Sequence, residues 1–183
     1  MPALDYPSHL VEDWQLADGT AVRIRPIRAD DLPMHTAFVN GLSKETGYRR
    51  LLSPRTLQPD ELWRMTHIDY DRELALIATT VVDGAEQQMG VARYVRGDTP
   101  ETAQVAEFAI VIADAWQHHG VALRLMRRLI DAARAAGVRQ LDDITLYDNT
   151  AMLALARKLG FGVQRDPGNP NVTRLRLTLY PAA

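Results

Sequence analysis

Gln117-His118-His119-Gly120-Val121-Ala122 joins an apolar stretch to the start of a long amphipathic pattern. A helix beginning there would leave its first backbone N–H groups without internal partners, aimed outward with the positive end of the helix dipole. Such groups can hold a pyrophosphate without any lysine. Gly120 would let a phosphate approach closely, and the small Ala122 would keep the helix start uncrowded. On these residues alone an ordinary strand-to-helix turn is an equal use of the segment. Neither G-x-G-x-x-G nor G-K-[ST] occurs, which excludes a dinucleotide fingerprint and a Walker loop. Upstream, Glu107 sits inside the apolar residues 103–113. Lost hydration there would raise its pKa toward the range in which a carboxylate takes a proton at neutral pH. The competing use is a structural carboxylate paired with an arginine.

Other residue types offer less. His118 and His119 are adjacent and project in different directions, and no Asp or Glu stands at ligand spacing on a helix, so no metal is expected. Asp69 and Tyr70, with Asp71, make an acidic-aromatic stretch able to receive a basic side chain, though turn chemistry uses the same residues. Met126 and Met152 stand at helical spacing among leucines and read as core. Trp14, Trp63 and Trp116 are too scattered for a base-stacking platform.

The elements that must position these residues alternate between strand and helix. Residues 1–20 read as an N-terminal arm and 21–183 as one folded domain. Val22-Arg23-Ile24-Arg25 alternates as a half-buried strand does, ended by Pro26. Asp30 is placed to cap a helix carrying Leu32, Phe38, Val39 and Leu42, and 59–67 suggests a second short helix. Strand-like stretches at 74–82 and 89–95 flank the turn pair Asp83-Gly84. Residues 103–113 read as a strand covered on both faces. A long helix follows, with Val121, Leu125, Leu129, Ala132 and Ala136 as its buried stripe and Gly137 as its stop. A strand at 141–147, a helix at 149–159 and a last strand at 172–179 complete an α/β sandwich, one central mixed sheet with helices on both faces.

Composition fixes the class. With 183 residues, 46% hydrophobic and 24% charged, the chain has the make-up of a folded domain. Lys plus Arg (21) nearly cancels Asp plus Glu (23), which argues against nucleic acid as partner. The longest apolar run, 108–113, is far short of the roughly 20 residues of a membrane span. The first residues, with Asp5, Glu12 and Asp13, do not read as a secretion signal, and the absence of cysteine removes a disulfide framework. The expectation is a cytoplasmic protein without a membrane anchor.

Four ordered motifs carry a resemblance. Glu107-Phe108-Ala109-Ile110-Val111-Ile112, then Gln117-x-x-Gly120-x-Ala122, then Asn149-x-x-Met152, then Lys158-Leu159-Gly160-Phe161 resemble the GNAT superfamily of N-acetyltransferases. The resemblance implies a GNAT-like domain in which backbone groups of Ile110, Val111 and Ile112 pair with the pantetheine arm of acetyl-CoA. It implies that Gln117, His118, His119, Gly120, Val121, Ala122 and Leu123 hold the pyrophosphate, and that Asn149 touches the cofactor near its sulfur. Leu16-Ala17-Asp18-Gly19-Thr20, Arg25-Pro26-Ile27-Arg28, Leu42-Ser43-Lys44-Glu45-Thr46 and Ile68-Asp69-Tyr70-Asp71-Arg72-Glu73 resemble one branch, the GNAT domain of bacterial Pat-type protein lysine acetyltransferases. Tyr48-Arg49-Arg50 resembles that branch's S-P-E-S-R-Y segment, with Lys44 and Gly47 departing from it. The acceptor so implied is a protein lysine ε-amine, with Glu107 as general base; the acidic-aromatic Asp69 and Tyr70 are the candidates to bind it. A small-molecule amine acceptor and a non-catalytic acetyl-CoA sensor are the rival uses. Many GNAT enzymes protonate the leaving thiolate with a Tyr seven residues after the Asn, and here that position is Ala156.

Overall fold

The computed structural model describes residues 6–99 and 102–180; the start of the N-terminal arm, Asp5 included, lies outside the described residues. Asp83 and Gly84 both take left-handed backbone (φ 50° and 79°), as the tightest hairpins require, and join β3 (Glu73–Val82) to β4 (Ala85–Arg96). This hairpin is the centre of one sheet in the order β1-β2-β3-β4-β5-β6-β8-β7. The other strands are β1 (Glu12–Gln15), β2 (Ala21–Pro26), β5 (Val105–Ile112), β6 (Gln140–Leu146), β7 (Gly162–Arg165) and β8 (Val172–Thr178). All neighbours are antiparallel except β5 and β6, which run parallel and are linked by α4 (Val121–Ala135). The N-terminal arm therefore supplies β1, whose Glu12 faces Ile24 of β2 in the register.

Two apolar layers cover the sheet. On one face α4 buries Val121, Leu125, Met126, Leu129, Ile130, Ala132 and Ala133 against Ile24, Leu76, Met89, Phe108 and Leu141. Ala136, expected in that stripe, is exposed because the helix has ended beneath it. α5 (Thr150–Lys158) adds Leu153 and Ala156 to the same layer. On the other face α1 (Leu32–Asn40) lays Phe38 and Met34 over the row Ile77, Val91 and Val111. Asp30 does not cap α1. The carboxylate that closes its entry belongs to Asp31, which accepts from Arg28 N (2.7 Å) and takes both arms of the buried Arg25 guanidinium (2.7 Å each).

The α1 layer does not reach the end of the sheet. Registers align Ala75, Arg93 and Ala109 in the next row, then Glu73, Val95 and Glu107 in the row after that. Those rows lie beside α2 (Lys44–Leu51) and α3 (Pro59–Thr66), and cleft replaces core there. β5 is thus covered on the α4 face, while on the other it is covered at Val111 and open at Glu107, which is exposed rather than dehydrated.

Candidate active site

The parallel ladder between β5 and β6 stops early. Val105, Ala106 and Glu107 pair with Gln140, Leu141 and Asp142, and beyond that the strands diverge. The opening is a cavity of about 780 Å³ walled by Ala109, Ile110, Val111 and Ile112 from β5 and by Asp143, Ile144 and Thr145 from β6. Past the last paired rung, the backbone groups of β5 that face β6 have no strand beside them among the described residues. They are free to pair with an extended amide-bearing chain.

At the far end of β5 the loop into α4 closes this cavity. His118 and Gly120 adopt left-handed backbone (φ 66° and 84°). Among the described residues, the N–H groups from His118 to Leu123 donate to no backbone carbonyl, and Arg124 N is the first to find one, on Gly120 (3.1 Å). Six unpaired amides at the head of a 15-residue helix form a seat for an anion. The loop is fastened from three sides. Gln117 Nε2 donates to Ile112 O (3.2 Å) and Thr46 Oγ1 (3.3 Å). Asp114 accepts from Ser43 N, Ser43 Oγ and Thr46 Oγ1 at 2.7–3.0 Å, clamping the start of α2 to the loop. Partial burial works against that carboxylate, but these hydrogen bonds prevail and hold it below the usual range. Trp14 of β1 lies 4.0 Å from where a Gly120 Cβ would stand, and Glu12 binds Arg124 and Arg128 of α4.

Asn149 caps α5, its Oδ1 accepting from Met152 N (3.2 Å) and its Nδ2 donating to Thr145 Oγ1 (3.1 Å). It lines the cavity in that fixed pose. A second cavity of about 440 Å³ opens on the uncovered face of β5 and contains Glu107, Glu73, Arg93, Arg64 and Val95. The two cavities share Arg50, Glu61, Met65, Ala109 and Asp143, so they meet where β5 and β6 part. One side offers amides and an open strand edge to a long anionic ligand. The other sets carboxylates among the arginines Arg50, Arg64 and Arg93, with the exposed Glu107 open to a cation.

Comparison with known proteins agrees with this geometry. The acetyltransferase (GNAT) domain family matches residues 21–162. The chain is 38% identical over 172 residues to an acetyltransferase of Pseudomonas aeruginosa, covering 93% of this chain and 90% of that protein. The chain belongs to the GNAT acetyltransferase family. Its fold superposes on the crystal structure of the GNAT domain of PAT from S. lividans with a TM-score of 0.84 at 30% identity, over 95% of this chain and 99% of that one. A Salmonella typhimurium protein solved with its cofactor acetyl-CoA shares the fold at a TM-score of 0.68 and 20% identity, over 88% and 96% of the two chains. The protein is an acetyl-CoA-dependent acetyltransferase of GNAT type.

Within this GNAT domain the structure brings most of the anticipated positions together. Ile110, Val111, Ile112, Gln117, His118, Gly120, Ala122, Leu123 and Asn149 all line the larger cavity. Val121 turns its side chain into the core, and His119 lies outside the lining, edge-on to Trp116 (6.0 Å). Asp69 and Tyr70 line neither cavity. Asp69 shapes a turn, accepting from Asp71 N (3.0 Å), while Tyr70 donates to Ile27 O and burial pushes its hydroxyl up to about 12. Asp143, at the meeting of the two cavities, escapes the sequence patterns. Asp143 is one of two adjacent acids on β6, and its surroundings come from elements distant in the chain. Burial pushes its carboxyl up to about 7; the Ile144 amide and Arg50 oppose the rise and Glu107 adds to it.

Proposed function

We propose that this acetyltransferase acetylates protein lysine ε-amines, with the β5 edge receiving the pantetheine arm, the amides of residues 118–123 the pyrophosphate, and Glu107 acting as general base. The observation that carries this reading is the meeting of two chemically different cavities at Ala109 and Asp143. Glu107 belongs only to the smaller one, and among the described residues it enters no ion pair, whereas its neighbours Glu73 and Glu61 are held by Arg93 (2.8 Å) and Arg55 (2.8 Å). A free carboxylate at that place attracts an ammonium, whose ordinary pKa is near 10.4. Glu107 removes one proton, the nitrogen then bonds to the thioester carbonyl carbon, and the carbon–sulfur bond breaks. The likeness to the GNAT domain of S. lividans PAT supports a protein acceptor.

Glu107→Gln retains size and cannot accept a proton. It should bind acetyl-CoA as the parent does and release CoA at least about a hundredfold more slowly at pH 7 with a lysine-bearing acceptor. Near-parental turnover would remove Glu107 from the chemistry. Mass spectrometry of a lysate incubated with enzyme and acetyl-CoA, beside CoA release with small amines, reads the acceptor class. New acetyl-lysine supports the proposal, and turnover confined to small amines refutes it.

A further inference from the structure

The family's usual donor of a proton to the departing sulfur is a tyrosine on the helix after the cofactor asparagine. Here that position is Ala156, 1% exposed and packed in the core layer beneath α5, so nothing at that place can donate. The lining of the cleft points elsewhere. Asp143 borders both cavities at their junction, on the wall opposite Ala109 and one residue from Ile144 and two from Thr145, to which the capping Asn149 is tied. Glu107 borders the acceptor side alone.

We infer that Asp143 is the general acid of this enzyme, standing where the donor and acceptor cavities meet, in the role the missing tyrosine would fill. The inference rests on the acetyl-transfer reading above. Its proton balance closes. Glu107 takes the first proton from the ammonium and passes it to solvent. As the nitrogen–carbon bond forms and the carbon–sulfur bond breaks, the Asp143 carboxyl gives its proton to the thiolate sulfur. The Asp143 carboxylate then recovers the second proton shed by the nitrogen as it becomes an amide.

The charges around Asp143 bear this out. From α2 comes Arg50, from α3 Glu61 and Arg64, from β3 Glu73, from β4 Arg93 and from β5 Glu107. Most are already paired: Glu61 with Arg55, Arg64 with Asp60, Glu73 with Arg93, and the neighbouring Asp142 with Arg176. Arg50 and Glu107 remain and act on Asp143 in opposite senses, which leaves burial to decide, and it favours the protonated acid near neutrality. Two carboxylates whose surroundings differ so, one exposed and one half-buried at the same cleft, divide into base and acid.

The test uses the full chain in two ways. In ligand-free protein, ¹³C NMR of the side-chain carboxyls, assigned through the backbone, should find Asp143 protonated at pH 6 and ionising near neutrality; ionisation in the ordinary aspartate range near 3.9 overturns the inference. In turnover, kcat of the parent should fall as pH rises past neutrality, and Asp143→Asn should abolish that alkaline limb while lowering kcat at pH 6 on the order of a hundredfold. Calorimetry with acetyl-CoA verifies that the variant is folded, and Asp143→Glu should restore part of the rate. An unchanged alkaline limb in Asp143→Asn refutes the role. A loss confined to Glu107→Gln, with Asp143→Asn fully active, refutes the acid and spares the base; no acetyl transfer by the parent refutes the function itself, while the NMR titration still decides the state of Asp143.

Discussion

Replacing Gly120 with alanine separates backbone strain from ligand crowding. Gly120 has φ +84°, and the nearest atom to a Cβ built there is Trp14 Cη2 at 4.0 Å, so the free protein has room for the methyl group. What it lacks is a comfortable backbone for it. The left-handed region costs an L-residue about 1–2 kcal/mol, and the stiffer unfolded chain returns about 0.4–1 kcal/mol. The net is a loss of about 1 kcal/mol, or about 2–4 °C in Tm for a chain of this size. Gly137, at φ +79° with nothing within 4 Å of its Cβ, lies at the far end of α4 and should lose the same amount as alanine. The two variants differ in one respect, because only Gly120 lines the cleft. If the amides there seat the pyrophosphate, Gly120→Ala should weaken acetyl-CoA at least tenfold, about 1.4 kcal/mol, and Gly137→Ala should leave it unchanged. Thermal unfolding and calorimetry on both proteins read the two quantities. Equal affinities in two equally destabilised variants would refute the anion seat. Valine would blur the comparison, since a β-branched side chain adds its own strain at positive φ.

Asp31→Asn removes the two-armed partner of the buried Arg25, leaving Glu86 at 3.3 Å as its remaining carboxylate, and should cost about 3 kcal/mol in urea unfolding, the low end for a broken buried pair. Burial alone would raise the Asp31 carboxyl, but hydrogen bonds from Arg25 and Arg28 hold it below the usual range, so its contribution is complete above about pH 3.9. It is lost as pH falls through the folded value, and the parent should show that acid loss where Asp31→Asn does not. Asp114→Ala releases Ser43 and Thr46 and should weaken acetyl-CoA binding several-fold by freeing α2 from the loop, with about 1–2 kcal/mol lost from stability; unchanged affinity by calorimetry would show that the clamp does not shape the seat.

What the sequence makes legible is local. α4 shows because Val121, Leu125, Leu129 and Ala132 repeat at helical spacing on a face buried along most of its length. The 83–84 turn shows because only a few residue types tolerate two left-handed steps in succession. β1 is hidden because Glu12-Asp13-Trp14-Gln15 is short and polar; it is an edge strand whose inward residues serve α4 and the loop that leads into it. α2 is hidden because Gly47 and four charged residues blur its period, and its cap at Ser43 is fastened by Asp114 from another part of the chain. Glu107 is found for its place in an apolar strand, yet its exposure follows from where the α1 layer ends, a distance that no window of sequence contains. Asp143 is missed for the converse reason. A pair of acids on a strand looks solvated until the fold gathers Arg50, Met65 and Ala109 around the same cleft as Asp143.

The two halves of the site occupy two interruptions of one building plan. A sheet that continued its β5–β6 ladder would satisfy every backbone group and leave no opening, and a helical layer that covered Glu107 would force that carboxylate into a pair or out of the sequence. Instead the ladder ends at Glu107 and Asp142, and the apolar layer ends at the row of Ala75, Arg93 and Ala109, so both faults fall within the short stretch of β5 from Glu107 to Ala109. The backbone beyond the first fault needs partners that a ligand with amides of its own can supply. The carboxylate beyond the second needs a cation, and an amine brings one. Because β5 is held to β4 along its length from Ala106 to Ile112, the strand that carries both faults stays rigid. The donor and the acceptor can therefore meet at a fixed place without any movement of the sheet.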